Sequence, residues 1–216
     1  MTLSSMKPDP SEGPPTEPPT LSLADIARRA RRCRRCDLWR DATQTVFGEG
    51  PENAAMVLIG EQPGDREDLI GRPFVGPAGR LLDEVLLEAG IVRDEVYVTN
   101  AVKHFKFEWR GKRRIHRNPS AGEIDACRWW LDLELGRLRP RVVVLLGASA
   151  ARAVLRRSVT VSRLRGQPIP LSDTTAMVTV HPSWLLRMPE PAAKARERSR
   201  FAADLRTALG FARAVT

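Results

Sequence analysis

The chain has 216 residues, 42% of them hydrophobic, which is enough for one domain with its own core. Thirty-five basic residues against 26 acidic ones leave a net charge of +9, and nearly all of the excess is arginine. No apolar run nears the roughly 18 residues that span a membrane, and three cysteines are too few for a secreted disulfide framework. A cytoplasmic monomer is expected.

Residues 1–20 are rich in Pro, Ser, Thr and Glu and hold no apolar segment, so they read as a disordered tail rather than a signal peptide. A single domain is expected over 21–212. SLADIARRARRC (22–33) has helical spacing and runs into the C-x-x-C pair Cys33 and Cys36. Four short apolar, β-branched runs follow: AAMVLIG (54–60), EVYVTNAV (95–102), RVVVLLG (141–147) and AMVTVHP (176–182). Each is nearly continuous, as strands covered on both faces are. Helical patterns at 77–90, 120–138 and 148–157 separate them, and a last helix is expected at about 191–212. This alternation predicts a three-layer α/β/α sandwich around a four-stranded parallel sheet.

In such a sheet, ligands bind at the carboxyl ends of the strands. Those ends carry GEQPGD (60–65), TNAVKH (99–104), GASAAR (147–152) and HPSWLL (181–186), so the polar motifs converge on one edge. Gly60 and Gly64 allow a ligand close to the backbone, while Glu61, Gln62 and Asp65 project polar groups, although an ordinary Gly-Pro turn has the same composition. Phe74 sits in the turn PFVGPAGR, where it is placed either to stack on a flat base or to fill the core. Asn100 offers the donor and acceptor that reading a pyrimidine edge requires, or simply ends its strand.

The stretch KFEWRGKRRIHRNPS (106–120) reads as a basic, aromatic loop that ends in His116. Clustered arginines, here and at 27–36, suit phosphate recognition, and an acidic protein would fit the charge equally. Lys112, Arg113 and Arg114 are candidate DNA contacts. Ser183, Trp184 and Arg187 join them as an apolar wedge beside phosphate-binding groups; a buried amphipathic turn fits the same residues. Cys33, Cys36 and Cys127 with His104 form a Cys₃His set that suits structural zinc or an iron–sulfur cluster.

Taken in order, GEQPGD, PFVGPAGRLLD, VYVTNAVKHFKF, KRRIH, DACRWW and HPS resemble the iron–sulfur uracil-DNA glycosylases, and specifically their UdgX branch, over about residues 22–210. The resemblance implies uracil-containing DNA as substrate, with single strands cheaper to open than duplex. It implies that Gly60 to Asp65 hold base and sugar, with Glu61, Gln62 and Asp65 serving the reaction. Phe74 would stack on the flipped uracil and Asn100 would read its edge. His181 would stabilise the departing anion, and Cys33, Cys36, His104 and Cys127 would hold a 4Fe–4S cluster. His116 would bond covalently to the sugar C1′. The wider family has a cysteine where this chain has His104 and lacks the KRRIH segment, which places water-mediated turnover in doubt.

A tethered imidazole has an effective molarity on the order of 10⁵ M, so a well-placed His116 should outcompete water. It must be neutral to attack, and neighbouring Arg113, Arg114 and Arg117 are expected to favour that form. Glu61 is then expected to accept the second imidazole proton.

Overall fold

Runs of valine, leucine and isoleucine make the central strands, and each helix between them buries one stripe. The computed structural model describes residues 21–214, so the disordered tail expected at 1–20 lies outside the described residues. The chain passes through α1 (Leu23–Ala30), β1 (Met56–Gly60), α2 (Asp65–Ile70), α3 (Pro77–Glu88) and β2 (Tyr97–Asn100). It continues through β3 (Phe107–Arg110), β4 (Arg113–His116), α4 (Ala121–Leu138), β5 (Val142–Leu146) and α5 (Ala148–Leu155). It ends with α6 (Val161–Leu164), β6 (Pro168–Pro170), β7 (Thr175–Thr179), α7 (Pro182–Leu186) and α8 (Pro191–Arg213). Helix starts follow their caps. The Ser22 hydroxyl accepts from the Asp25 N–H at 3.1 Å, Ser120 and Glu123 form a capping box, and proline opens α7 and α8.

The main sheet runs β2–β1–β5–β7–β6. Its first four strands are parallel, as the sequence predicts. The fifth, β6, is an antiparallel addition at the edge. Pro168 and Pro170 argue against a strand, yet at an edge the missing N–H groups need not cost a ladder bond. Alternate strand residues face opposite sides. Val57 and Ile59 therefore pack with Ile26, Leu131 and Ala150 on one side, while Leu58 packs with Leu82, Leu86 and Phe201 on the other. The result is the expected three-layer sandwich. Among the described residues no helix is long and apolar enough to cross a membrane.

The stretch 106–120 departs from the expected loop. β3 and β4 pair as an antiparallel hairpin around Gly111, whose φ of +60° suits the turn. Phe107 pairs with His116 and Trp109 with Arg114, so these four side chains share one face.

Candidate active site

A cleft of about 620 Å³ opens where β1, β2, β5 and β7 end. Glu61, Gln62, Gly64 and Asp65 line it from the β1 exit, and Phe74 and Asn100 from beside it. His116 enters from the hairpin, and His181, Ser183 and Arg187 from the β7 exit and α7. Gly60 lies opposite Asn100 in the ladder. A Cβ on Gly60 would stand 2.3 Å from Asn100 Oδ1 and 2.7 Å from the Phe74 ring, so any side chain there would have to displace both. The buried Asn100 amide makes no side-chain bond to another described residue and keeps its donor and acceptor for the cleft.

Phe74 adopts φ +56°, an uncommon conformation for a residue with a side chain. Two contacts hold it there. Helix α3 presses on its backbone so closely that a Cβ on Gly79 would lie 1.8 Å from the Phe74 carbonyl oxygen. Glu67 accepts from the Gly64 N–H at 3.1 Å and from the Gly76 N–H at 2.7 Å, joining the GEQPGD loop to the Phe74 turn. Sequence reasoning missed Glu67; its signal is the capping spacing from Gly64.

His181 caps α7. Its Nδ1 accepts from the Ser183 N–H at 3.1 Å, so in the neutral ring the proton resides on Nε2. Burial pushes its pKa down to about 4, with His116 and Arg187 adding to the effect. The ring lies roughly parallel to that of Phe74, centroids 6.3 Å apart. The site therefore holds an uncharged imidazole donor next to an aromatic face.

His116 Nε2 stands 3.4 Å from Glu61 Oε1. The other Glu61 oxygen accepts from the Ser149 hydroxyl at 2.5 Å, an orienting contact not foreseen in the sequence. Burial holds His116 below the usual imidazole range; Glu61 opposes this and Arg187 reinforces it. The cation that favours the neutral ring is thus Arg187; alternation turns Arg113 and Arg117 to the other face of the hairpin, and Arg114, on the same face as His116, is engaged by Asp65 and Asp68.

Gln62 and Arg114 fix the hairpin. The Gln62 amide donates to the carbonyls of Lys106 and Arg117 at 3.1 and 3.0 Å and accepts from the Lys106 N–H at 3.2 Å. Its polar atoms hold backbone, so this residue, expected to serve the reaction, also fixes the hairpin that carries His116. Arg114 bonds Asp65 and Asp68 at 2.6 Å each and lies over Phe105 and Phe107. Arg114, expected to contact phosphate, is thus clamped by the protein's own carboxylates, and Asp65, expected to serve the reaction, is one of them while still lining the cleft. Lys112 and Arg113 remain exposed at the hairpin tip. Trp184 is 39% exposed on α7, beside exposed Leu186, in keeping with a projecting wedge rather than a buried turn.

The sulfur ligand candidates gather on the α1–α4 side. Cys33 Sγ receives the Trp130 indole N–H at 3.0 Å, and Cys127 Sγ receives the Lys103 backbone N–H at 3.2 Å. Burial pushes the Cys127 thiol up to about 12, and Cys33 and Cys36 both lie near enough to raise it further. His104 Nε2 stands 2.9 Å from the Thr45 hydroxyl, whose own proton goes to the Ala30 carbonyl at 3.1 Å. Nε2 must then carry the ring proton, and burial drives the His104 pKa down to about 4. Its Nδ1 keeps a lone pair, buried and without a hydrogen-bond partner. Two thiols that receive N–H donors, a third close by and one orphaned imidazole nitrogen make up the donor set of a Cys₃His group. Among the described residues no group of three or more His, Cys, Asp or Glu side chains is arranged to hold a metal ion as the structure stands.

The sequence profile of the uracil DNA glycosylase superfamily matches residues 47–206, from before β1 into α8. The chain belongs to the uracil-DNA glycosylase superfamily. Its relatives include the type-4 uracil-DNA glycosylase of Thermotoga maritima, 38% identical over 164 residues that span 75% of this chain and 82% of that protein. The type-4 uracil-DNA glycosylase of Archaeoglobus fulgidus is 37% identical over 177 residues, 78% and 85% of the two chains. That of Sulfurisphaera tokodaii is 32% identical over 168 residues, 76% and 73%. As a member of this glycosylase superfamily, the chain carries its cleft within the matched span, whereas Cys33 and Cys36 precede that span.

Proposed function

We propose that this protein takes uracil out of DNA, cleaves it from its sugar and captures C1′ covalently through His116. The observation that carries the reading is a neutral-leaning imidazole on a clamped hairpin, facing Glu61 across the cleft at 3.4 Å. Phe74 would stack on the flipped base, and Asn100 would bond its edge. As the C1′–N1 bond breaks, its electron pair goes to uracil, whose anion meets the Nε2–H of His181 and the Asn100 amide. One nitrogen of His116 then donates its pair to the oxocarbenium-like C1′. The proton on the other ring nitrogen passes to Glu61, leaving a neutral alkyl-imidazole that departs poorly.

Cys33, Cys36, Cys127 and His104 would hold a 4Fe–4S cluster, which would brace the segment after α1, the β2 exit and α4 against one another. Uracil-containing DNA is the partner, single strands being favoured because they need no unpairing. A protein acting as a monomer in the cytoplasm, away from membranes, suits this role.

A second reading draws on the type-4 relatives, which are named simply as uracil-DNA glycosylases. In it, Glu61 orients a water that attacks C1′, and His116 contacts DNA. The two readings diverge in the fate of the sugar. A uracil-containing oligonucleotide mixed with the protein and run on a denaturing gel should give a shifted band that needs uracil and vanishes in His116→Ala. An alkali-labile abasic product without any shift would establish turnover instead.

A further inference from the structure

We propose that Trp109, at the tip of the β3–β4 hairpin, is a stacking subsite for the nucleobase next to uracil in a single strand. The inference rests on the uracil-DNA reading of the cleft. Trp109 is 65% exposed, against the tendency of tryptophan to bury most of its surface. It is nonetheless held in place. Its ring meets Phe107 edge-on with centroids 5.5 Å apart, and Phe107 in turn stacks on buried Phe105 at 5.2 Å. The Arg114 and Gln62 contacts fasten both strands below it.

Register fixes its distance from the reactive centre. Phe107 pairs with His116, and Trp109 lies two residues further along the same face. One strand repeat of two residues is about 7 Å, comparable to one nucleotide of an unstacked strand. A chain that places its uridine sugar at His116 therefore brings a neighbouring base to the Trp109 ring. Arg110, Lys112 and Arg113 are exposed at the same hairpin tip and supply charge that the strand's phosphates need. An exposed aromatic ring on a basic element is how single strands are held without regard to sequence. A duplex base, already stacked and paired, gains little from it.

The test pairs a substitution in the protein with a deletion in the DNA. Two single-stranded oligonucleotides carry uncleavable 2′-fluorodeoxyuridine, one flanked by ordinary nucleotides and the other by abasic tetrahydrofuran on both sides. Their Kd values are measured by fluorescence anisotropy for the unaltered protein, Trp109→Ala and Trp109→Phe. Trp109→Ala should weaken binding of the first by about 5- to 100-fold and leave the second unchanged, while Trp109→Phe keeps most of the affinity. Equal weakening on both oligonucleotides, or on neither, overturns the subsite. Ordinary deoxyuridine surviving the unaltered protein would instead overturn the glycosylase reading, and it would do so without touching the binding comparison.

Discussion

Lys103 links the two halves of the site: its ammonium donates to the Asn100 carbonyl at 2.8 Å, and its backbone N–H donates to Cys127 Sγ at 3.2 Å. The residue that would read uracil and a candidate cluster ligand thus hang on one fully buried lysine. Its charge is met by Glu134, which also accepts from the Tyr97 hydroxyl at 2.9 Å and from Thr99 at 3.1 Å. Removing one partner strands the other charge in the interior. Glu134→Ala should therefore cost about 3–5 kcal/mol of stability, read from the urea midpoint. Joint replacement, Lys103→Met with Glu134→Leu, should cost clearly less than the sum of the singles.

Gly60 separates Asn100 from Phe74 by the width of a missing methyl group. Gly60→Ala should push both aside, and a displacement of about 1 Å at a reacting site costs on the order of 10²-fold in rate. Single-turnover uracil release measures this. An unchanged rate would mean that neither side chain grips the base.

Glu61 is placed to take the second imidazole proton. Glu61→Gln should leave His116 contacting DNA but make any adduct slower to form and reversible on heating. His116→Ser should release uracil and leave a free abasic site, since water then reaches C1′. Gel assays after timed heating separate the three proteins. An adduct from Glu61→Gln as fast and durable as the parent's would show that the proton goes elsewhere.

Protonation should weaken the protein in acid. His181, held at about 4 against an ordinary 6.5, binds fewer protons folded than unfolded between those values. Its stabilising contribution is complete above pH 6.5 and is lost as pH falls toward 4. His116 is lowered in the same direction, so capture should be flat above neutrality and decline in acid. Urea melts across this range should lose midpoint below pH 6.5, and His181→Asn should flatten part of that slope.

The hairpin depends on its clamp. Arg114→Ala frees the Asp65 and Asp68 carboxylates and should cut the rate of adduct formation at least tenfold, an orientation effect, at saturating DNA. Arg113→Ala, exposed at the tip, should weaken binding and its salt dependence while leaving the saturated rate intact.

The amino-acid sequence by itself determined the sandwich, because continuous apolar runs have few other places to go than a sheet covered on both faces. It also determined which edge carries the site, since parallel strands bring Gly60, Asn100 and His181 out on the same side. Motif chemistry brought His116, Glu61 and the Cys₃His set to notice. Tertiary structure decided what each polar group has left to give. Arg114 and Gln62 read like ligand contacts along the chain, but Asp65, Asp68 and the Lys106 and Arg117 carbonyls take up their bonds. Those partners lie tens of residues away in sequence. The hairpin itself was hidden because its strands are charged, and its rigidity comes from the body beneath rather than from an apolar pattern. Hydrogen-bond capacity is spent in space, not along the chain, so only the folded protein shows which side chains remain free to meet a substrate.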